Sequence, residues 1–131
     1  NFEKQMATEY SEILNLLDDY FDLLYKCDVE LINQLFLPNA NVCNVSDDVA
    51  VIIDMDQFHE RIASRISPES QNKNRDDRIL SIDITCPTIA LAKVDLLILP
   101  GGRYTDYLSL LKVAGNWKIA SKVFHLKVED Q

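Results

Sequence analysis

The sequence predicts an α+β protein whose helices cover one face of a curved antiparallel sheet. Helical periodicity is confined to the first half of the chain, whereas roughly the last fifty residues alternate as strands. The breaks between these strands, at Pro100-Gly101-Gly102 and at Ala114-Gly115-Asn116, supply the positive-φ residues that tight hairpins require. Consecutive strands are therefore expected to pair antiparallel, as a meander.

Three helices are predicted before the meander. The first runs over about residues 8–26, where apolar side chains recur every three or four positions. Asp28 is a suitable N-cap for a second, shorter helix, which Pro38 is expected to end by denying the backbone a donor. Asp54 or Asp56 caps the third helix, whose buried side consists of Phe58, Ile62 and Ile66.

The polar stretch 67–77 has no periodicity and is long for a connection, so it is expected to be a mobile flap. Strands are predicted near residues 41–45 and 50–54, and over about 78–86, 89–99, 103–113 and 116–127. Both faces of the later strands are apolar. The outer face is therefore expected to be covered by a second copy of the chain, which predicts a homodimer through the sheet.

Bulk properties exclude several classes of function. The chain of 131 residues and 15.0 kDa is expected to form one domain over residues 1–131, and its net charge of −8 disfavours nucleic acids and anionic membranes. Three cysteines without C-x-x-C spacing favour reduced thiols in a cytoplasmic protein. Dispersed histidines and acids predict no metal site, and no motif indicates a cofactor or covalent catalysis.

An acid interrupts an apolar row in the third strand of the meander. Asp106 falls in phase with Tyr104, Leu108 and Leu110, and a buried carboxylate is costly unless it is paired, hydrogen-bonded or protonated. Two interpretations remain open. Asp106 is either a structural partner of Arg103, Lys122 or a backbone amide, or a protonated acid that donates a hydrogen bond to a ligand carbonyl.

Residues 19–22, 35–40, 107–112 and 115–124 carry a resemblance, the last two being the most specific. With the order of the elements they resemble the nuclear transport factor 2-like superfamily, and more narrowly the family labelled putative lumazine-binding, close to the SnoaL-like proteins. The resemblance implies a cystatin-like cone of strongly curved sheet around a cavity, with three helices packed on its concave face. It also implies a dimer.

Within that superfamily, the ketosteroid isomerases use a helix tyrosine and a strand aspartic acid as oxyanion donors, and a second carboxylate as base. The resemblance places Tyr20, eight residues before Asp28, at the tyrosine position and Asp106 at the acid position. The base is expected eight residues after Phe36, where this chain has Asn44. An amide cannot accept a proton at physiological pH, so this departure argues against isomerisation.

Several other residues have both a structural and a functional interpretation. Tyr20 is either a core tyrosine or a ligand donor, and Asn44 either orients a ligand or is satisfied by a neighbouring loop. His59 is a half-exposed helix residue or a general base at the pocket mouth. Large aromatic residues either fill the core or wall a pocket for a flat ring system: Phe36, Phe58, Tyr104 and Trp117.

The leading prediction is a homodimer whose cone-shaped cavity binds a small apolar or aromatic molecule through Tyr20, Asn44 and Asp106. The rival is a cofactor-independent isomerase, dehydratase or cyclase, in which Tyr20 and Asp106 stabilise an enolate and His59 or a flap residue is the base. A third possibility is a non-catalytic dimerisation or adaptor module, which would have a filled cone.

Overall fold

The computed structural model describes residues 1–129 as three helices and one sheet of six strands. The helices are α1 (Phe2–Lys26), α2 (Val29–Leu35) and α3 (Met55–Ala63), and the strands are β1 (Phe36–Ser46), β2 (Val49–Ile53), β3 (Asp77–Cys86), β4 (Ile89–Ile98), β5 (Gly102–Val113) and β6 (Asn116–Val128). The strand order is β2-β1-β6-β5-β4-β3. This arrangement confirms the predicted α+β class and the meander. The sheet is mixed, because β1 pairs parallel with β6.

The helix α1 begins six residues earlier than its apolar periodicity predicts. The side chain of Asn1 accepts a hydrogen bond from the backbone N–H of Lys4 and caps the helix, although most of the first turns are exposed and show no apolar pattern. The helix ends at Cys27, in the left-handed conformation with φ 52°. Asp28 then caps α2 as predicted, accepting from the N–H of Glu30.

Pro38 does not end α2, which stops at Leu35; it lies within the strand β1. The pairing of β1 with β6 is irregular between Phe36 and Asn41, so Pro38 falls where the ladder is interrupted. A proline is tolerated in a strand at such a bulge, because no ladder hydrogen bond is lost there.

Asp54, one of the two predicted caps, begins α3 in a reciprocal capping box with Gln57. The prediction that Ile66 belongs to the buried side of α3 is wrong. The helix ends at Ala63, and Ile66 is 74% exposed.

The stretch predicted as a mobile flap is anchored to the C-terminal end of α1. The Tyr25 hydroxyl donates to the carbonyl oxygen of Lys73 at 2.8 Å, and the N–H of Glu69 donates to the carbonyl oxygen of Tyr25 at 3.1 Å. The Arg75 guanidinium lies 4.7 Å from the centre of the Tyr25 ring and pairs with Asp22. Tyr25 therefore attaches the segment to α1, while Asp76 attaches it to Arg103 on β5 at 2.8 Å.

The concave face of the sheet forms the core with the helices. Alternate residues of the meander are buried against α1 and α3, among them Ala92, Val94, Leu96, Leu108, Leu110 and Ile119. The opposite face leaves large apolar side chains partly exposed: Ile89, Leu91, Tyr107, Leu111 and Val123. None of the three helices within residues 1–129 has the length and apolarity needed to cross a bilayer.

Candidate functional site

Tyr20 and Asp106 meet inside the cone. The apolar face of α1 directs Tyr20 toward the sheet, and the alternation of β5 directs Asp106 toward the helix. The Tyr20 hydroxyl donates to Asp106 Oδ2 at 2.5 Å, and both residues are fully buried. The structure thus brings together the two residues that the resemblance to ketosteroid isomerases singled out.

Lys122 completes what we call the inner cluster, consisting of Tyr20, Asp106 and Lys122. Its Nζ lies 3.7 Å from the same Oδ2 of Asp106, and the residue is only 5% exposed. The ammonium position is 5.4 Å from the ring centre of Tyr20, 5.3 Å from that of Phe58 and 5.4 Å from that of Phe124. Three rings and one carboxylate therefore surround a single amine.

A β-bulge explains why Lys122 points inward. The register between β5 and β6 shifts at Ser109–Leu110, so the buried row of β6 changes from Trp117 and Ile119 to Lys122. Uninterrupted alternation from Trp117 would have placed Lys122 on the outer face. In the sequence Lys122 was only one of three possible partners for Asp106, and this extra residue is why its burial was not foreseen.

Burial perturbs the protonation of the inner cluster. Burial raises the pKa of Tyr20 well above its ordinary value, and the negative charge of Asp106 raises it further. Burial lowers the pKa of Lys122, against the opposing attraction of Asp106, and the nearby positive charge of Arg65 lowers it further. Tyr20 is therefore a persistent hydrogen-bond donor, and Lys122 releases its proton more readily than a surface lysine.

One acceptor of the cluster is left over. Asp106 Oδ1 is buried and has no hydrogen-bond partner among residues 1–129. A buried carboxylate oxygen without a donor lowers the stability of the fold by about 1–3 kcal/mol or more. Such atoms are rare in native structures, and each one calls for an explanation. This oxygen is the feature of the cluster that the fold itself leaves unexplained.

A pocket of about 310 Å³ opens at the wide end of the cone, next to the inner cluster. Tyr104 lines it, and the Tyr104 ring packs 5.7 Å from the ring of Phe124. Asp106 and Lys122 lie one inward-facing position deeper than these two rings on β5 and β6. Tyr104 thus lies between the pocket and Phe124, and Phe124 lines a second groove. The remaining lining residues are Arg65, Ile66, Pro68, Gln71, Ile98, Leu99, Pro100 and Gly101.

Asn44 and His59 lie near this region without joining the cluster. Asn44 lines a separate groove of about 610 Å³, which opens where β1 and β6 part beyond the pair Cys43–Val123. His59 is half-buried on α3, beside Phe58, and lines neither this groove nor the pocket. Phe58 itself is buried against the Lys122 amine.

Trp117 lies at the opposite end of the cone, away from the inner cluster. Its Nε1 donates to Glu9 Oε1 at 3.4 Å, and Lys112 Nζ contacts the same oxygen at 2.5 Å. The Lys112 hydrogen bond is the main reason that the pKa of Glu9 is lowered. Within residues 1–129, no three His, Cys, Asp or Glu side chains are grouped to hold a metal ion.

The open cone of six strands with three helices defines a nuclear transport factor 2-like protein. The sequence matches the family described as Putative lumazine-binding over residues 8–125, and the chain belongs to this family, as its resemblance predicted.

Individual proteins are also similar to this chain. A nuclear transport factor 2-like protein of unknown function from Shewanella baltica is 27% identical, with a TM-score of 0.84 over 94% of this chain and 97% of that chain. A protein described as a putative scytalone dehydratase from Novosphingobium aromaticivorans is 17% identical, with a TM-score of 0.68 over 96% of this chain and 89% of that chain. The Aldolase FrzH of Cladobotryum sp is 38% identical over 47 residues, which are 35% of this chain and only 38% of that protein.

Proposed function

We propose that the protein binds a small apolar or aromatic molecule at the wide end of the cone, with one polar group of the ligand directed at Asp106. The pocket beside Tyr104 holds the apolar body, and the unpartnered Oδ1 of Asp106 is the observation that carries the proposal. Small-molecule sites are usually built in this way, from an apolar hollow with few convergent polar groups.

Naphthalenemethanol is a suitable probe, because its ring system suits an apolar pocket and its hydroxyl can donate to Asp106. Titration calorimetry should show one molecule bound per chain. Ile66→Trp should abolish binding by filling the pocket, since Ile66 lines it and is 74% exposed, so the core is undisturbed. The matched control is Ile52→Trp, at a 64% exposed position that lines the groove of Asn44. Loss of binding in the control alone would place the ligand in that groove and contradict the proposal.

Lys122 favours a second candidate, a cofactor-independent isomerase, dehydratase or cyclase. The chain has Asn44 where the resemblance places a base, and Lys122, 3.7 Å from Asp106, is a second titratable group at the site. Burial lowers the pKa of Lys122, which favours the neutral amine that can accept a proton. The aldolase relative agrees with an enzymatic role over the short stretch that it shares.

Proton abstraction is measured directly by exchange. Acetonaphthone in deuterated buffer should exchange its methyl hydrogens faster with the protein than with buffer alone, and Lys122→Met should remove the difference. Equal rates for the two proteins would exclude Lys122 as a base. A protein that neither binds naphthalenemethanol nor accelerates exchange would instead fit the non-catalytic dimerisation module.

A second copy of the chain is the proposed partner, through the outer face of the sheet. Leu91 and Tyr107 are 45% and 48% exposed there, and Val123 is 49% exposed beside them. Such a contiguous apolar face is what an interface between copies covers. The free thiols of Cys27, Cys43 and Cys86 support placing this dimer in the reducing cytoplasm.

A further inference from the structure

Lys122 differs in its surroundings from the other lysines whose contacts are defined. Lys112 is paired with Glu9 and Glu12, and Lys118 donates to the carbonyl oxygen of Gln34 from an exposed position. Within residues 1–129, Lys122 is the one buried lysine. Its side chain is 6% exposed, and its amine faces aromatic rings on three elements.

The groups around the amine come from four elements. Tyr20 approaches from α1, Asp106 from β5 and Phe58 from α3. Phe124 follows Lys122 on β6 itself. Two more positive charges act on the amine from the α3 side, Arg61 and Arg65. Burial and these like charges favour the neutral form of the amine, which is the nucleophilic form, against the opposing attraction of Asp106.

We infer that Lys122 forms an imine with an aldehyde or ketone ligand, so the site holds carbonyl compounds covalently. This inference rests on the proposed binding function, and it specifies the substrate class of the same site. It goes beyond that function because Lys122 would then bind the ligand covalently and not only lie beside it.

The atoms of this step balance without a co-reactant. The Nζ lone pair attacks the carbonyl carbon, and the carbonyl oxygen takes up a proton to give a carbinolamine. That oxygen then leaves as water with the two protons that the amine loses, and a carbon–nitrogen double bond remains. The Tyr20 hydroxyl lies beside the amine, because both contact Oδ2 of Asp106.

Access to the amine is from the pocket. Tyr104 lines the pocket and packs on Phe124, whose ring lies 5.4 Å from the Lys122 amine and also lines the groove of Asn44. Rotation of these two side chains brings a bound carbonyl group to Nζ while its apolar body stays between Tyr104 and Ile98. The same rings exclude bulk water, which would hydrolyse an imine.

Reductive trapping tests the inference on the intact protein. The protein is incubated with one equivalent of naphthaldehyde per chain, reduced with sodium cyanoborohydride and digested for peptide mapping. The expected result is one naphthylmethyl group per chain on Lys122, formed at least about tenfold faster than on any other lysine, because the bound aldehyde is held beside this amine. Lys122→Arg should lose this rapid labelling. Lys127→Arg, at an exposed position on the same strand, should retain it.

The wild-type peptide map decides the question even where Lys122→Arg does not fold. Label spread evenly over the exposed lysines, with Lys122 unmodified, would overturn the imine. If naphthalenemethanol still bound in that case, the proposed binding function would stand and only the covalent step would fail. If neither naphthalene compound bound, both the function and the imine would be refuted for aromatic ligands.

Discussion

Replacing Tyr20 by phenylalanine isolates the hydrogen bond at the centre of the inner cluster. The substitution removes one hydroxyl from a fully buried ring and leaves the packing of the ring in place. Asp106 then loses its 2.5 Å hydrogen bond, and Oδ2 joins the already unpartnered Oδ1, with Lys122 at 3.7 Å as the remaining charge partner. Tyr20→Phe therefore tests how far the fold depends on this carboxylate being satisfied.

The expected magnitude follows from the burial of the acceptor. A hydrogen bond to a charged group contributes about 1.5–3 kcal/mol, and an orphaned buried acceptor adds its own desolvation cost. Tyr20→Phe should therefore lower the free energy of unfolding by about 2–3 kcal/mol, and a domain of this size should then lose about 8–12 °C in Tm. Urea unfolding followed by the fluorescence of Trp117, the single tryptophan, provides the measurement.

A control and a pH series make the result specific. Tyr10→Phe, at a 44% exposed position, should change the free energy of unfolding by less than about 0.5 kcal/mol. Because the folded-state pKa of Tyr20 lies above the ordinary 10.0, its stabilising effect is complete below that pH and declines as the pH rises beyond it. The difference between wild type and Tyr20→Phe should shrink accordingly in alkali. Equal stabilities of the two proteins at pH 7 would refute the reasoning.

Three further predictions concern other parts of the chain. Gly102→Ala should lower the free energy of unfolding by more than about 3 kcal/mol, because the added Cβ would lie 2.2 Å from a backbone oxygen of β6. Gly115→Ala, where nothing lies within 4 Å of the added Cβ, should lower it by about 1 kcal/mol. Thermal unfolding of the two variants measures the difference. Glu9→Gln should destabilise the protein at pH 7 but not in strong acid. The reason is that the lowered pKa of Glu9 contributes stability that is lost as the pH falls below 4.5. An unchanged dependence of the unfolding free energy on pH would contradict this. Leu91→Lys should yield monomers in sedimentation at concentrations where wild type and Phe2→Lys, its control on α1, remain dimers.

The sequence was sufficient for most of the fold, because periodicity, caps and hairpin residues act locally. The cap at Asp28 and the turn at Gly115 are examples in which a few neighbouring residues determine the backbone. Pro38 was misjudged because its tolerance in β1 depends on an irregular pairing with β6, a strand nearly eighty residues away. Ladder irregularities of this kind have no local signature.

The candidate site was only partly predictable for the same reason. Tyr20 and Asp106 could be related through a resemblance and a shared inward phase, but their 2.5 Å contact depends on how α1 lies across the sheet. Lys122 lies beyond a bulge that reverses the phase of β6, so alternation alone assigns it to the wrong face. Trp117 is buried, as the alternation of β6 predicts, but alternation does not show at which end of the cone a residue lies.

The bulge between β5 and β6 allows β6 to contribute side chains to two chemically different parts of the interior. On one side of the register shift, Trp117 donates a hydrogen bond to Glu9; on the other, the Lys122 amine faces the ring of Phe124. If Ala120 were paired in a regular ladder instead, Lys122 would lie opposite Tyr107, on the outer face of the sheet. The way in which one residue, Ala120, is accommodated therefore decides whether the second half of β6 presents an amine or a hydrocarbon side chain to the interior.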